Sequence, residues 1–156
     1  MALEIERKFR VTNDSWRTNV VEVRHIRQAY LAINDKVSVR VRIVGRFAAT
    51  MTIKTVAPGI TRHEYEYAIP VKDAQELMDR RVGAIIEKTR HVVPYAGLTW
   101  EIDVFSGAHA GLVVAEVELG RSDQLVIRPP WLGDEVSHDR RFSNAELALR
   151  TPEVAT

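Results

Sequence analysis

Leu3-Glu4-Ile5-Glu6-Arg7-Lys8-Phe9 is the stretch on which the reading of this chain turns. Side chains two apart on a strand share a face, so Glu4, Glu6 and Lys8 point one way and Leu3, Ile5 and Phe9 the other. Two carboxylates on one face lie roughly 7 Å apart by the rise per residue. At an effective dielectric near 20 they repel by about 2 kcal/mol. Water, a basic neighbouring strand or a bound cation must neutralise them. Taken alone, alternation of this kind describes a sheet with one wet face.

Working outward, the like-charged pair at i, i+2 recurs with a sign that changes from strand to strand. Val37 to Ile43 sets aliphatics at odd positions against Arg40 and Arg42, and Ala49 to Lys54 ends its polar face in Lys54. Arg62, Glu64 and Glu66 share a face, with His63, Tyr65, Tyr67 and Ile69 on the other. Ile85 to Val93 carries Lys88 and Arg90, Leu98 to Val104 carries Glu101 and Asp103, and Val113 to Leu119 carries Glu116 and Glu118. With a strand over Arg24 to Ile33, eight strands are expected.

The connections carry turn and cap signals. Asn34-Asp35, Pro58-Gly59 and Tyr95-Ala96-Gly97 read as turns, and Gly107 to Gly111 as a loop. Asn13 to Ser15 opens a short helix through Trp16 and Arg17, and Ser122-Asp123 caps a single helical turn. Asp73 with Glu76, and Ser143 with Glu146, read as capping boxes. The first opens a helix to about Arg81, and the second a short C-terminal helix with Leu147 and Leu149 as one apolar edge. Pro129 to Gly133 reads as irregular structure packed through Trp131.

Composition narrows the function classes. The chain has 156 residues, an apolar fraction of 46% and a charged fraction of 28%, which suits one globular domain over 1–150 with a flexible tail over 151–156. The net charge of +1, from 22 basic and 21 acidic side chains, argues against a general nucleic-acid or anionic-membrane surface. The absence of cysteine excludes thiolate chemistry and disulfides. The charged N-terminal stretch is not a signal peptide and no apolar run is long enough to span a bilayer, so a cytoplasmic location is expected.

Two architectures satisfy the pattern. An open antiparallel sheet or sandwich turns the charged faces to water, whereas a closed eight-stranded barrel turns them inward around a small ligand. The helices are few and short, so a barrel's outward apolar faces lack an obvious cover, and the pattern alone leans towards the open or sandwich form. Against this, paired arginines and lysines facing paired acids suit a polyanion held with divalent cations. Carboxylates suit Mg2+ or Mn2+, and guanidinium forks match phosphate oxygens.

The opening Glu4-Ile5-Glu6-Arg7-Lys8 resembles the ExExK signature of the CYTH family, the triphosphate tunnel metalloenzymes. Ser38 to Arg42, Lys54, Glu64-Tyr65-Glu66, Glu87 to Arg90, Glu101 to Phe105 and Glu116 to Glu118 follow in the family's order. The stretches Pro129 to Gly133 and Arg140 to Leu149 resemble its short bacterial members. Ala29 stands where relatives often have glycine, and Arg140-Arg141 where they often have a lysine and an arginine. The resemblance implies a mainly β (α+β) fold: an eight-stranded antiparallel closed barrel with a charged interior tunnel and a few short external helices. It implies metal-dependent hydrolysis of inorganic triphosphate, with thiamine triphosphatase, nucleoside triphosphatase, adenylate cyclase or a non-catalytic polyphosphate-binding barrel as alternatives.

On that resemblance Lys8, Arg40, Arg42, Lys54, Lys88 and Arg90 bind the phosphates. Glu4, Glu6, Glu64, Glu66, Asp103, Glu116 and Glu118 are the candidate ligands of Mg2+ or Mn2+ at two sites. Glu4, Glu6, Lys8, Lys88 and Glu118 are the candidate catalytic residues. The expected partner is a small-molecule triphosphate rather than nucleic acid or membrane, and a homodimer is compatible. The C-terminal helix is expected to plug one tunnel end. No base-stacking aromatic or amide is expected on the inward face. The three tryptophans, His63 and His91 read as packing or surface residues, Tyr65 and Tyr67 as helix contacts, and Arg62 as a rim residue or the partner of a carboxylate.

Overall fold

The structure, a computed structural model, describes residues 3–55 and 60–150. The expected turn at Pro58-Gly59 and the tail from 151 onward lie outside these residues. The strands are β1 (Leu3–Val11), β2 (Glu22–Ile33), β3 (Val37–Val44), β4 (Ala48–Thr55), β5 (Thr61–Ile69), β6 (Val82–Tyr95), β7 (Leu98–Ser106), β8 (Val113–Glu118) and β9 (Leu132–Glu135). The helices are α1 (Val71–Met78) and α2 (Asn144–Leu149), with 3-10 turns at Ser15–Asn19, Gly107–His109 and Arg140–Phe142.

The sheet runs β5-β4-β3-β2-β6-β7-β8-β1, antiparallel throughout, and β1 returns to β5 to close an eight-stranded barrel. The opening strand performs the closure. Its Glu6 to Arg10 pair with Val114 to Glu118 of β8, its Leu3 to Ile5 with Thr61 to His63 of β5, and its Phe9 and Val11 with the short β9. The lean towards an open sheet or sandwich is therefore overturned.

Its physical error was to count only helices as cover. Loops sheathe much of the outward face. Trp100 of β7 packs edge-on between Phe9 at 5.6 Å and Trp131 at 5.4 Å, and Trp16 sits 4.9 Å from the His91 ring. Leu119, Trp131 and Leu132 complete this outer core over β1, β7 and β8. α1 covers the other side, laying Ala74 and Met78 on Ala29, Val41, Ile43 and Ala49. All three tryptophans are buried, as expected of packing residues.

Four local expectations need correction. Leu132 to Glu135 is a ninth strand rather than irregular structure. α1 starts at Val71 behind Pro70, with no side-chain cap, so Asp73 and Glu76 form no capping box, and it ends at Met78. Proline fixes φ near the helical value and lacks the N–H a helix start leaves unused, so it can end a strand and open a helix at once. Ser122-Asp123 forms a turn without a helix. Tyr67 is solvent-exposed rather than covered by a helix. The Ser143 cap does form, its Oγ accepting from the Glu146 N–H at 3.1 Å.

Candidate active site

Directly paired residues of neighbouring strands share a face, so the registers show what the interior holds. Lys8 lies opposite Glu116, Glu6 opposite Glu118, Arg90 opposite Asp103, Glu101 opposite Glu116, Lys54 opposite Glu64, and Arg40 opposite Thr52. The charged faces of the alternating strands thus meet inside the barrel.

Two knots of ion pairs form there. In the deeper one, Arg90 grips Asp103 as a fork at 2.8 and 2.9 Å, and Lys88 reaches the same carboxylate at 2.7 Å. Arg90 also meets Glu101 at 3.3 Å and Glu116 at 3.5 Å, and Glu116 takes Lys8 at 3.3 Å. In the second knot Lys54 bridges Glu4 at 3.1 Å and Glu64 at 3.4 Å. Burial opposes the charge on Asp103 and Glu116. Lys88 and Arg90 outweigh it at Asp103, and Lys8 and Arg90 at Glu116, so both stay below the ordinary carboxylate range. Burial wins at Lys88, aided by Arg90 and Arg42, and its ammonium titrates well below the usual lysine value.

Glu6, Arg40 and Arg42 have no ion pair among the described residues, and Glu4 shares Lys54 with a second carboxylate. Burial with Glu116 and Glu4 pushes the Glu6 carboxyl up to about 8. Glu4 is pushed up to about 7, by burial and then by Glu64. Arg40 bonds only Thr52 Oγ1 at 3.3 Å and leaves its buried Nε without an acceptor. Arg42 bonds Gln28 Oε1 at 2.8 Å, and burial beside Arg40 and Arg90 lowers it to about 10. Glu66 and Glu118 are exposed and outside these knots. Among the described residues no three acids or histidines converge into a ready-made metal cluster.

A cavity of about 460 Å³ opens beside the knots, with Glu4, Glu6, Lys8, Arg40, Lys54 and Arg62 among its walls. Arg62 lines it too, opposite Glu4 in register. The β2–β3 end from Tyr30 to Ser38 and the chain from Val136 to Ala145 supply more of its wall. That segment also closes one end of the barrel. Phe142, Leu147 and Ala148 pack on the inward-facing Tyr30, Ile86, Phe105 and Val114. The Phe142 carbonyl accepts from Lys8 Nζ at 3.1 Å, and Asn144 Oδ1 from Lys88 Nζ at 3.3 Å. The expected apolar edge is only half right: Leu147 is buried, but Leu149 is exposed.

Two interior residues contradict the expected lack of inward amides and aromatics. Gln28 lies opposite Arg42 and is fully buried, and Tyr30 lines the cavity. Counting back from the Asn34-Asp35 turn in an unbroken register would set Gln28 opposite Ile43 and Tyr30 opposite Val41, both wrongly outward. The register shift between Tyr30 and Ala32 defeats that count for both residues. Gln28 gives its Oε1 to Arg42 and keeps a buried Nε2 without an acceptor among the described residues, and Tyr30 packs in the closing cluster.

Among known proteins, the CYTH domain family model matches residues 2–150. An inorganic triphosphatase of Acetivibrio thermocellus is 39% identical over 148 residues, covering 94% of each chain. An inorganic triphosphatase of Nitrosomonas europaea is 37% identical over 153 residues, covering 96% of this chain and 99% of its own. The crystal structure of an inorganic triphosphatase superposes with a TM-score of 0.72 at 36% identity, covering 97% of this chain and 98% of its own.

Proposed function

The chain belongs to the CYTH domain family, and on that premise we propose that it hydrolyses inorganic triphosphate to diphosphate and phosphate within its barrel. One observation carries the proposal: carboxylates in excess of their cations and guanidinium groups in excess of their anions line a single cavity. A metal-bearing polyanion satisfies both at once.

Glu4 and Glu6 fit a hard divalent cation. They are oxygen donors, adjacent on one strand face, and burial together with neighbouring carboxylates raises both beyond what Lys54 and Lys8 offset. The remaining candidate donors are Glu116 and Glu118 on the neighbouring strand, Glu64, which shares Lys54 with Glu4, and Glu66 and Asp103. Mg2+ or Mn2+ bound there, at two sites, would neutralise phosphate oxygens and acidify a water.

The chain's own groups supply the rest. Arg40, Arg42, Lys54 and Arg90 hold phosphate oxygens, the guanidinium groups as forks and the lysine as a point charge. Lys8 and Lys88 offset charge on the departing diphosphate. The water oxygen bonds to the terminal phosphorus, the bridging P–O bond breaks, and diphosphate leaves with the electron pair. A carboxylate of the acid wall takes the water's proton. A cytoplasmic setting belongs to the same proposal.

The test is phosphate release from tripolyphosphate, ATP and thiamine triphosphate in parallel, with Mg2+, with Mn2+ and with EDTA. Tripolyphosphate is expected to turn over fastest and only with metal. Faster turnover of ATP, or release unaffected by EDTA, overturns the proposal.

A further inference from the structure

Resting on that function, we infer that Gln28 is a positioning residue: its neutral amide fixes the Arg42 guanidinium inside the barrel and leaves the arginine's charge to the bound polyanion. The registers show what flanks each interior cation. Lys8 lies opposite Glu116, Lys54 opposite Glu64 and Arg90 opposite Asp103, and each closes an ion pair with the acid it faces. The two arginines of β3 are flanked differently. Arg40 lies between Tyr30 of β2 and Thr52 of β4, and Arg42 between Gln28 and Thr50. None of these four neighbours carries a charge, and neither arginine has an ion pair among the described residues.

Gln28 holds its arginine from a fixed place. The side chain is fully buried, and its Oε1 accepts from Arg42 Nε at 2.8 Å. Arginine offers only donors, so the amide oxygen must face it, and turning the amide over would set two donors against each other. A bond at Nε, the inner nitrogen of the guanidinium, sets the plane of the group. The two terminal nitrogens are left as an edge that can take phosphate oxygens in pairs. Thr52 braces Arg40 more loosely, its Oγ1 accepting from Nη2 at 3.3 Å.

The choice of an amide is chemical. A glutamate at position 28 would offer the same acceptor but would also cancel the charge, as Asp103 does in the fork it forms with Arg90. Arg90 must therefore share its charge between Asp103 and a bound anion, whereas Arg42 shares its charge with nothing in the protein. Arg40 and Arg90 repel it across the interior, so the barrel carries uncompensated positive charge at this point. A neutral acceptor is the side chain that orients such a group and keeps its charge available.

The experiment compares Gln28→Glu and Gln28→Met with Gln75→Glu, the same change on the exposed side of α1. Three quantities are measured: the melting temperature in EDTA, the rise that tripolyphosphate adds to it, and the KM and kcat for tripolyphosphate with metal. Gln28→Glu keeps an acceptor for Arg42 and adds a charge. It should melt no lower than wild type, yet show a smaller tripolyphosphate shift and a KM raised about tenfold, with kcat within about threefold, as loss of one charge-assisted contact predicts. Gln28→Met removes the acceptor at similar volume, so it should melt lower and also raise KM. Gln75→Glu should change none of the three. A purely structural hydrogen bond would leave Gln28→Glu binding like wild type, and that result overturns the inference. Wild-type melting and KM in Gln28→Met overturn it equally, and this variant, which adds no charge, judges the brace should Gln28→Glu fail to fold. The metal-free melting shifts rank the variants even if the wild-type protein binds tripolyphosphate without hydrolysing it, a result that would sink the proposed function alone.

Discussion

Replacing Gly83 with alanine should unlatch the closing helix. Gly83 opens β6 at φ +71, and a Cβ added there would lie 2.2 Å from the Ala148 carbonyl oxygen and 2.8 Å from its carbon. Carbon and oxygen approach no closer than about 3.3 Å in favourable contact, so one partner must retreat by about 1 Å. The clashing atoms are backbone, and no rotamer change relieves them. β6 is tied to β2 at Val82 and to both neighbours from Glu87 onward, whereas α2 has six residues, so the helix is the part that moves. The left-handed backbone costs a residue with a Cβ about 1–2 kcal/mol. Undocking exposes Leu147, worth about 1.5–3 kcal/mol, and breaks the bond from His109, worth about 0.5–1.5 kcal/mol. The sum, about 3–6 kcal/mol, corresponds to a melting temperature lower by at least about 6 °C in a protein of this size. The functional readout is the ratio of ATP to tripolyphosphate turnover. With the barrel end open, a nucleoside on the third phosphate finds room and the ratio should rise. Leu147→Asp should act in the same direction, because the closed position would bury an unpaired charge. A Gly83→Ala protein with an unchanged melting temperature would refute the backbone clash as the latch. A lower melting temperature with an unchanged ratio would refute the helix as the reason tripolyphosphate is preferred.

Glu6→Gln should lower tripolyphosphate turnover at least about 100-fold by removing a proposed metal donor, while its melting temperature holds or rises, because burial already disfavours the charged carboxylate that Gln replaces; full activity in the folded variant would exclude Glu6 from the metal set. Asp103→Asn leaves Lys88 and Arg90 facing each other without their shared anion, and should cost about 3–5 kcal/mol in urea melts. Tripolyphosphate with Mg2+ should return part of that loss by mass action, and a variant as stable as wild type would show that the knot is not held by charge. The fork of Arg7 on Glu135 ties β9 to β1 and, with burial opposing and Ser137 assisting, holds the carboxyl down to about 2. A carboxylate with a lowered folded value stabilises the fold above its ordinary value of 4.5 and loses that contribution as pH falls towards 2. Wild type should therefore exceed Glu135→Gln by about 1 kcal/mol at neutral pH, a figure kept small by the pair's partial exposure, and the difference should vanish near pH 2; a gap that persists there would assign it to packing instead.

The sequence by itself determined which side chains share a face. A strand's side chains alternate whatever the strand pairs with, so Glu4, Glu6 and Lys8, or Lys88 and Arg90, were fixed as common-face sets before any partner was known. The Ser143 cap was legible for the same reason, since a hydroxyl and an amide three residues apart meet through local geometry alone. Alternation is identical in a sandwich and a barrel, so closure was not legible from it, and only the resemblance to a known family pointed that way. What closes the barrel is three residue pairs between β1 and β5, across nearly sixty residues of chain, reinforced by the loop-borne Trp16 and Trp131 that cover its outer face. β9 escaped notice because Leu-Gly-Asp-Glu has neither alternation nor β-branched residues, and it is a strand only because β1 offers it an edge. Tertiary structure also decided which charges cancel. Sequence placed Asp103, Glu6 and Arg40 in charged motifs without ranking them. Strand order gave Asp103 two cations and left Glu6 and Arg40 without an ion pair among the described residues, because a charge's partner is set by distance through space rather than by position along the chain.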